Sequence, residues 1–165
     1  MSQLSRPLIC LAVLALLLPA CRSTQTTPPA GVQKIVIKLQ SLTTDKRYSY
    51  FELEPNGQLS FGGGFDAITK NAKPVMTLNT QQLKSIESFI NQSNLLTANL
   101  SGKQDRKNSK DVHHELVLKL GNQSRTLQVN DNQIPAVGQL HDMIFDFYAK
   151  ARYNLPGIGT PDANQ

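Results

Sequence analysis

Three histidines carry most of the chemistry available to this chain. His113-His114-Glu115 follows closely on Asp111, and His141 is followed at once by Asp142. Asp111, His113 and Glu115 have the i, i+2, i+4 spacing that puts all three on one face of a strand. Carboxylate and imidazole donors in that array bind a divalent metal weakly. The same residues equally suit a solvated strand face, and that is the expectation; no metal or cofactor is assigned. His114 then faces the apolar side, where a half-buried packing histidine with one hydrogen bond is expected. His141-Asp142 sets an imidazole beside a carboxylate, and such a pair activates a nucleophile only when a serine is set against it. Neither a G-x-S-x-G turn nor H-E-x-x-H is present. Glu52 and Glu54 flank a turn, with little chain left to build a glycosidase cleft. No catalytic residue is assigned, and a non-enzymatic role is expected ahead of a small hydrolase.

Recognition is better served by two other groups. Tyr48 and Tyr50 alternate on one face of an exposed hairpin edge, where tyrosines bring contact area with a polar tip, or else pack under the tether or the long loop. Lys103, Arg106, Lys107 and Lys110 gather in one polar loop, which reads first as solvated and second as an interaction site. The other basic residues are scattered without a stripe of interleaved aromatics, which argues against nucleic acid. Gly62-Gly63-Gly64 lacks the Gly-Lys-Ser/Thr of a phosphate loop and reads as a strand exit.

The elements that must position these side chains follow from periodicity. Ile35, Ile37 and Leu39 alternate with Val36, Lys38 and Gln40, the period of a half-buried strand. Ser49, Phe51 and Leu53 alternate likewise, Glu54-Pro55-Asn56-Gly57 makes a turn, and Leu59 and Phe61 return. Asn79 caps a helix carrying Leu83, Ile86, Phe89 and Ile90 on one face and ending near Leu95. Residues 97–111 form a long polar loop, longer than ordinary connections and expected to be mobile. A second hairpin places His114, Leu116, Leu118 and Leu120 opposite Leu127 and Val129, turning at Gly121-Asn122. Asp131-Asn132 then caps a last helix that opens near Pro135 and carries Ile134, Val137, Leu140, His141, Ile144, Tyr148 and Ala151 inward. The predicted order is β-β-β-α-β-β-α. It implies an α+β class: an antiparallel sheet of about five strands with two helices packed on one face. The expected core is Ile37, Phe51, Leu53, Phe61, Leu83, Ile86, Phe89, Leu116, Leu118, Leu140 and Ile144.

The N-terminus says where the domain works. A mildly basic start precedes an apolar run from Pro7 to Leu18, and Leu18-Pro19-Ala20-Cys21 ends it. The layout is that of a secretory signal, and the run falls short of the roughly 20 apolar residues of a membrane span. The four closing residues resemble the lipobox of bacterial lipoproteins. That resemblance implies cleavage before Cys21 and acylation of Cys21. In a diderm host Arg22 at the second mature position implies the outer membrane, facing the periplasm. The organisation expected is a signal over 1–20, a lipidated tether over 21–32, one domain over 33–152 and a disordered tail over 153–165. Cys10 leaves with the signal and Cys21 takes lipid, so the folded part has no cysteine for a disulfide, a thiolate site or a nucleophile.

From Lys34 to Tyr148 the pattern resembles small bacterial lipoproteins of the strand-hairpin-helix-hairpin-helix kind. The Leu-x-x-Ile-x-x-Phe spacing from Leu83 to Phe89, Asp111 leading into the strand Val112 to Leu120, and the closing helix also resemble the emfourin group of metalloprotease inhibitors. No inhibitory segment matches, so no inhibitory residue is carried over. The function expected is a lipid-anchored, non-catalytic binding or interaction module, whose partners are the membrane through its lipid and an envelope protein. The alternative is an inhibitor of an extracytoplasmic protease.

Overall fold

The structure is a computed structural model that describes residues 31–97 and 112–153. Among the described residues nine elements follow in order: β1 (Ile35–Leu42), β2 (Tyr48–Leu53), β3 (Gln58–Gly63), α1 (Phe65–Ile68), β4 (Lys73–Thr77), α2 (Thr80–Gln92), β5 (His113–Leu120), β6 (Gln123–Asn130) and α3 (Pro135–Tyr153). The strands form one antiparallel sheet in the order β4-β3-β2-β1-β5-β6. The α+β class is as expected. The sheet has six strands rather than about five, and β4 and α1 are additions to the predicted order.

Both additions lack periodicity. β4 is almost wholly exposed, carries Pro74 and joins β3 through a register shift at Leu59/Ser60. Proline is tolerated there because β4 is an edge strand. Strand β4 thus offers no alternating apolar signal to read. Helix α1 is a single turn that starts at Gly64, whose φ of 58° favours glycine.

Turn chemistry sets the rest. Gly57 N–H closes on the Glu54 carbonyl at 2.9 Å with a glycine φ of 85°. Asn79 and Gln82 form a reciprocal capping box, each side chain accepting from the other's backbone N–H at 2.9 Å.

Alternation on the strands puts Ile37, Leu39, Phe51, Leu53, Leu59, Leu116 and Leu118 on one face, where Leu83, Ile86 and Ile90 of α2 and Val137, Leu140 and Ile144 of α3 close over them. The expected core residues are all buried except Phe61 and Phe89, which are half-buried against its rim. Ala151 is exposed rather than inward.

The two long helices share a face as predicted, but α1 lies on the other one. Gln40 Nε2 donates to the Ala67 carbonyl at 2.6 Å, and Lys70 Nζ meets Glu115 at 2.6 Å. A Cβ at Gly62 would lie 2.5 Å from the Asn71 carbonyl oxygen, so the glycine lets this segment approach the sheet. Gly62 thus serves a close packing contact at the strand exit, as its place in the sequence implied.

Candidate functional site

Register assembles the site. Ser41 of β1 lies opposite both Ser49 of β2 and His114 of β5, so the core face ends in three polar residues instead of apolar ones. Helix α3 crosses above that end and lowers His141 onto it. Ser49 Oγ and His141 Nε2 are 2.9 Å apart, and His141 Nδ1 lies 3.1 Å from Asp142 Oδ1. Beside them, Ser41 Oγ and His114 Nδ1 are 2.7 Å apart, with His114 Nε2 2.8 Å from Asp131 Oδ1. The two imidazole rings stand 6.0 Å apart between centroids.

The partners decide the tautomers. A carboxylate only accepts, so the ring nitrogen facing each aspartate carries the proton in neutral imidazole. His114 therefore donates from Nε2 to Asp131 and accepts the Ser41 hydroxyl at Nδ1. His141 donates from Nδ1 to Asp142 and accepts the Ser49 hydroxyl at Nε2. Two Ser-His-Asp chains run side by side, and they differ in access. Ser41 and His114 are 2% and 1% exposed, a closed polar tie within the fold. Ser49 and His141 are half-buried and line a pocket of about 540 Å³.

The pocket opens between this end of the sheet, α3 and the turn before β2. Its apolar wall is Phe61, Phe145 and Val112, with Tyr48 and Lys46 toward the β1–β2 turn. Phe145 is partly exposed and stacks with His141 at 6.2 Å between ring centroids. In the turn, Arg47 pairs with Asp45 at 2.6 Å, and that guanidinium holds the Asp45 carboxyl well below the usual carboxylate range. Lys46 makes no ion pair among the described residues. An apolar wall with a few convergent polar groups is the ordinary form of a small-ligand site.

The sequence-predicted residues fare unevenly. Tyr48 lines the pocket, but Tyr50 is 4% exposed, and burial raises its phenol pKa. Their strand lies between β1 and β3, so it is not an exposed edge and the two tyrosines do not form a shared recognition face. His114 is fully buried with both ring nitrogens bonded, not half-buried with one. Asp131 spends its carboxylate on His114. It packs so close to α3 that a Cβ at Gly138 would collide with its Oδ1. On the opposite face Glu115 is paired with Lys70, and His113 Nδ1 lies 3.2 Å from Asn130 Oδ1. Among the described residues no group of three or more His, Cys, Asp or Glu is placed to hold a metal. Cys21, Lys103, Arg106, Lys107, Lys110 and Asp111 lie outside the described residues.

Ser41, Ser49 and Phe145 were not singled out from sequence as site residues. Serines on the inward register of otherwise apolar strands are the signal that marks Ser41 and Ser49.

No protein-family model and no curated protein sequence matches the chain. The lipoprotein and inhibitor resemblances therefore rest on the residues themselves.

Burial makes His114 a pH-sensitive element of stability. Desolvation lowers its pKa below the ordinary 6.5, outweighing the hydrogen bond and charge of Asp131. On acidification the unfolded chain takes up this proton first, so stability falls with pH. The contribution is complete above about 6.5 and is lost as pH drops toward the folded value. Melting temperature is expected to decline between about pH 7.5 and pH 5.5. His114→Gln should flatten that decline; equal slopes for wild type and variant would show that another group is responsible.

Proposed function

We propose that this chain is a lipid-anchored protein of the bacterial cell envelope whose domain acts by binding. In a diderm host it sits on the outer membrane and faces the periplasm. Cys21 carries the lipid, residues 22–32 span the distance from the surface, and the domain takes its ligand in the pocket above Ser49 and His141. The pocket is the observation that supports a binding role: about 540 Å³ with Phe61 and Phe145 in its wall and two serine-histidine pairs converging at its floor. That volume suits a small molecule, or one large side chain of an envelope protein. The fold supports the role because the floor is built on sheet residues and its histidines are held by second hydrogen bonds, so the groups are preorganised.

Native mass spectrometry of the lipidated protein, extracted from envelopes in mild detergent, tests this. The expected result is a retained small species, or a crosslink to one envelope protein through the pocket rim, lost in Phe145→Asp. That residue is partly exposed, so the variant is expected to fold. If wild type and Phe145→Asp retain the same species in the same amount, the pocket is not the binding site.

A further inference from the structure

The pocket holds a serine that the binding reading leaves without a task. Ser49 stands at the wall of the pocket with its hydroxyl on His141 Nε2 at 2.9 Å, and Asp142 Oδ1 lies 3.1 Å from Nδ1 of the same ring. These are the contacts that convert a serine into a nucleophile: a base within hydrogen-bond reach, unprotonated toward the hydroxyl, and a carboxylate that selects that tautomer. The neighbouring Ser41-His114-Asp131 chain has the same chemistry and also borders the pocket, but its serine and imidazole are only 2% and 1% exposed. Of the two serines, Ser49 is the more exposed to a substrate in the pocket. Asp142 is itself 84% exposed at its side chain, so it acts as a positioning residue and not as a buried charge.

We infer that Ser49 and His141 form an acyl-transfer centre whose substrates are esters with an apolar acyl group. The inference goes beyond the binding role but uses the same pocket, with Phe61, Phe145 and Val112 as the wall for the acyl group. Ser49 Oγ attacks the ester carbonyl carbon while its proton passes to His141 Nε2. The bond from that carbon to the alcohol oxygen breaks, and the alcohol leaves with the proton held by His141. Water then adds to the acyl-serine with His141 again taking the proton, and the carboxylic acid departs as Ser49 regains its hydrogen. The sum is ester plus water to acid plus alcohol, with no oxidant or metal required.

A fluorophosphonate probe on the full mature chain tests the nucleophile directly. Intact mass and peptide mapping should show one adduct, on Ser49, and none in Ser49→Ala. His141→Gln should slow labelling about 100-fold or more, the usual share of a general base, with circular dichroism confirming that it stays folded. Turnover of p-nitrophenyl butyrate should follow the same order. Nitrogen NMR of the His141 ring should report the Nδ1–H tautomer that the Asp142 contact selects, and the labelling rate should fall as acid protonates His141, a pH dependence that a merely structural serine-histidine contact does not produce. A folded wild type that takes no adduct on Ser49, or labels as fast with His141→Gln, overturns the inference, as does the Nε2–H tautomer. If an unreactive alkyl ketone still raises the melting temperature in such a case, and Phe145→Asp abolishes the rise, binding stands and catalysis alone falls.

Discussion

Truncating Leu118 to Ala is expected to cost about 2–5 kcal/mol of folding stability, a large share of what a small domain has. Leu118 sits on the inward face of β5, opposite Ile37 of central β1, and is fully buried. The lost methyl groups forfeit their transfer energy, and the sheet beneath cannot collapse into the gap because β5 is paired on both sides. Phe51→Ala should fall in the same range or above it. Its ring is fully buried and touches the rings of Phe61, His141, Phe145 and Tyr148, so truncation also loosens the wall of the pocket. Half-buried Phe89 should cost less than either. Chemical denaturation measures all three, and a Leu118→Ala midpoint equal to wild type would remove this residue from the core.

The second large effect concerns the anchor. On the proposed lipidation, Cys21→Ala is expected to abolish both lipid attachment and lipoprotein-type processing, because one change removes the acylated residue itself. A single chain binds a bilayer marginally, at about 0.8 kcal/mol per buried CH₂, whereas two or more anchor stably. Among the described residues no helix is long and apolar enough to cross a membrane, so no second anchor of that kind is available there. Lipid labelling with intact mass of the membrane fraction checks the result. The wild type should begin at Cys21 with acyl mass, and the variant should remain as precursor or be cut elsewhere. A mature wild type that begins anywhere other than Cys21, or that begins there without acyl mass, would sink the assignment. Arg22→Asp should move the protein toward the inner membrane in a diderm host, and an unchanged distribution would remove only the outer-membrane placement.

What was legible in the sequence was local. Alternation in Ile35–Leu42 and His113–Leu120, the proline-glycine turn before β3 and the Asn79 capping box announce themselves within a few residues, because the forces that set them act over that range. The α+β class and most of the core follow from them. β4 and α1 escaped because an exposed edge strand with a proline and a single helical turn carry no period. Tyr48 and Tyr50 were misplaced for a related reason: alternation says that two side chains share a face but not whether the strand is an edge. Strand order decides that, and it put their strand between two others.

The site itself was beyond local reading. His141 and Asp142 stood out as a pair in want of a serine, yet Ser49 precedes His141 by 92 residues and Ser41 precedes His114 by 73. Nothing in either segment names the other. The pairing arises because antiparallel register aligns Ser41 with Ser49 and His114, and because helix α3, seated by Val137, Leu140 and Ile144, delivers His141 above them. The sequence determined the residue types, their faces and the segments that carry them. Only packing of distant segments against one core decided which hydroxyl meets which imidazole, since a hydrogen bond is satisfied within about 3 Å, and a chain reaches that precision between remote residues only once it is folded.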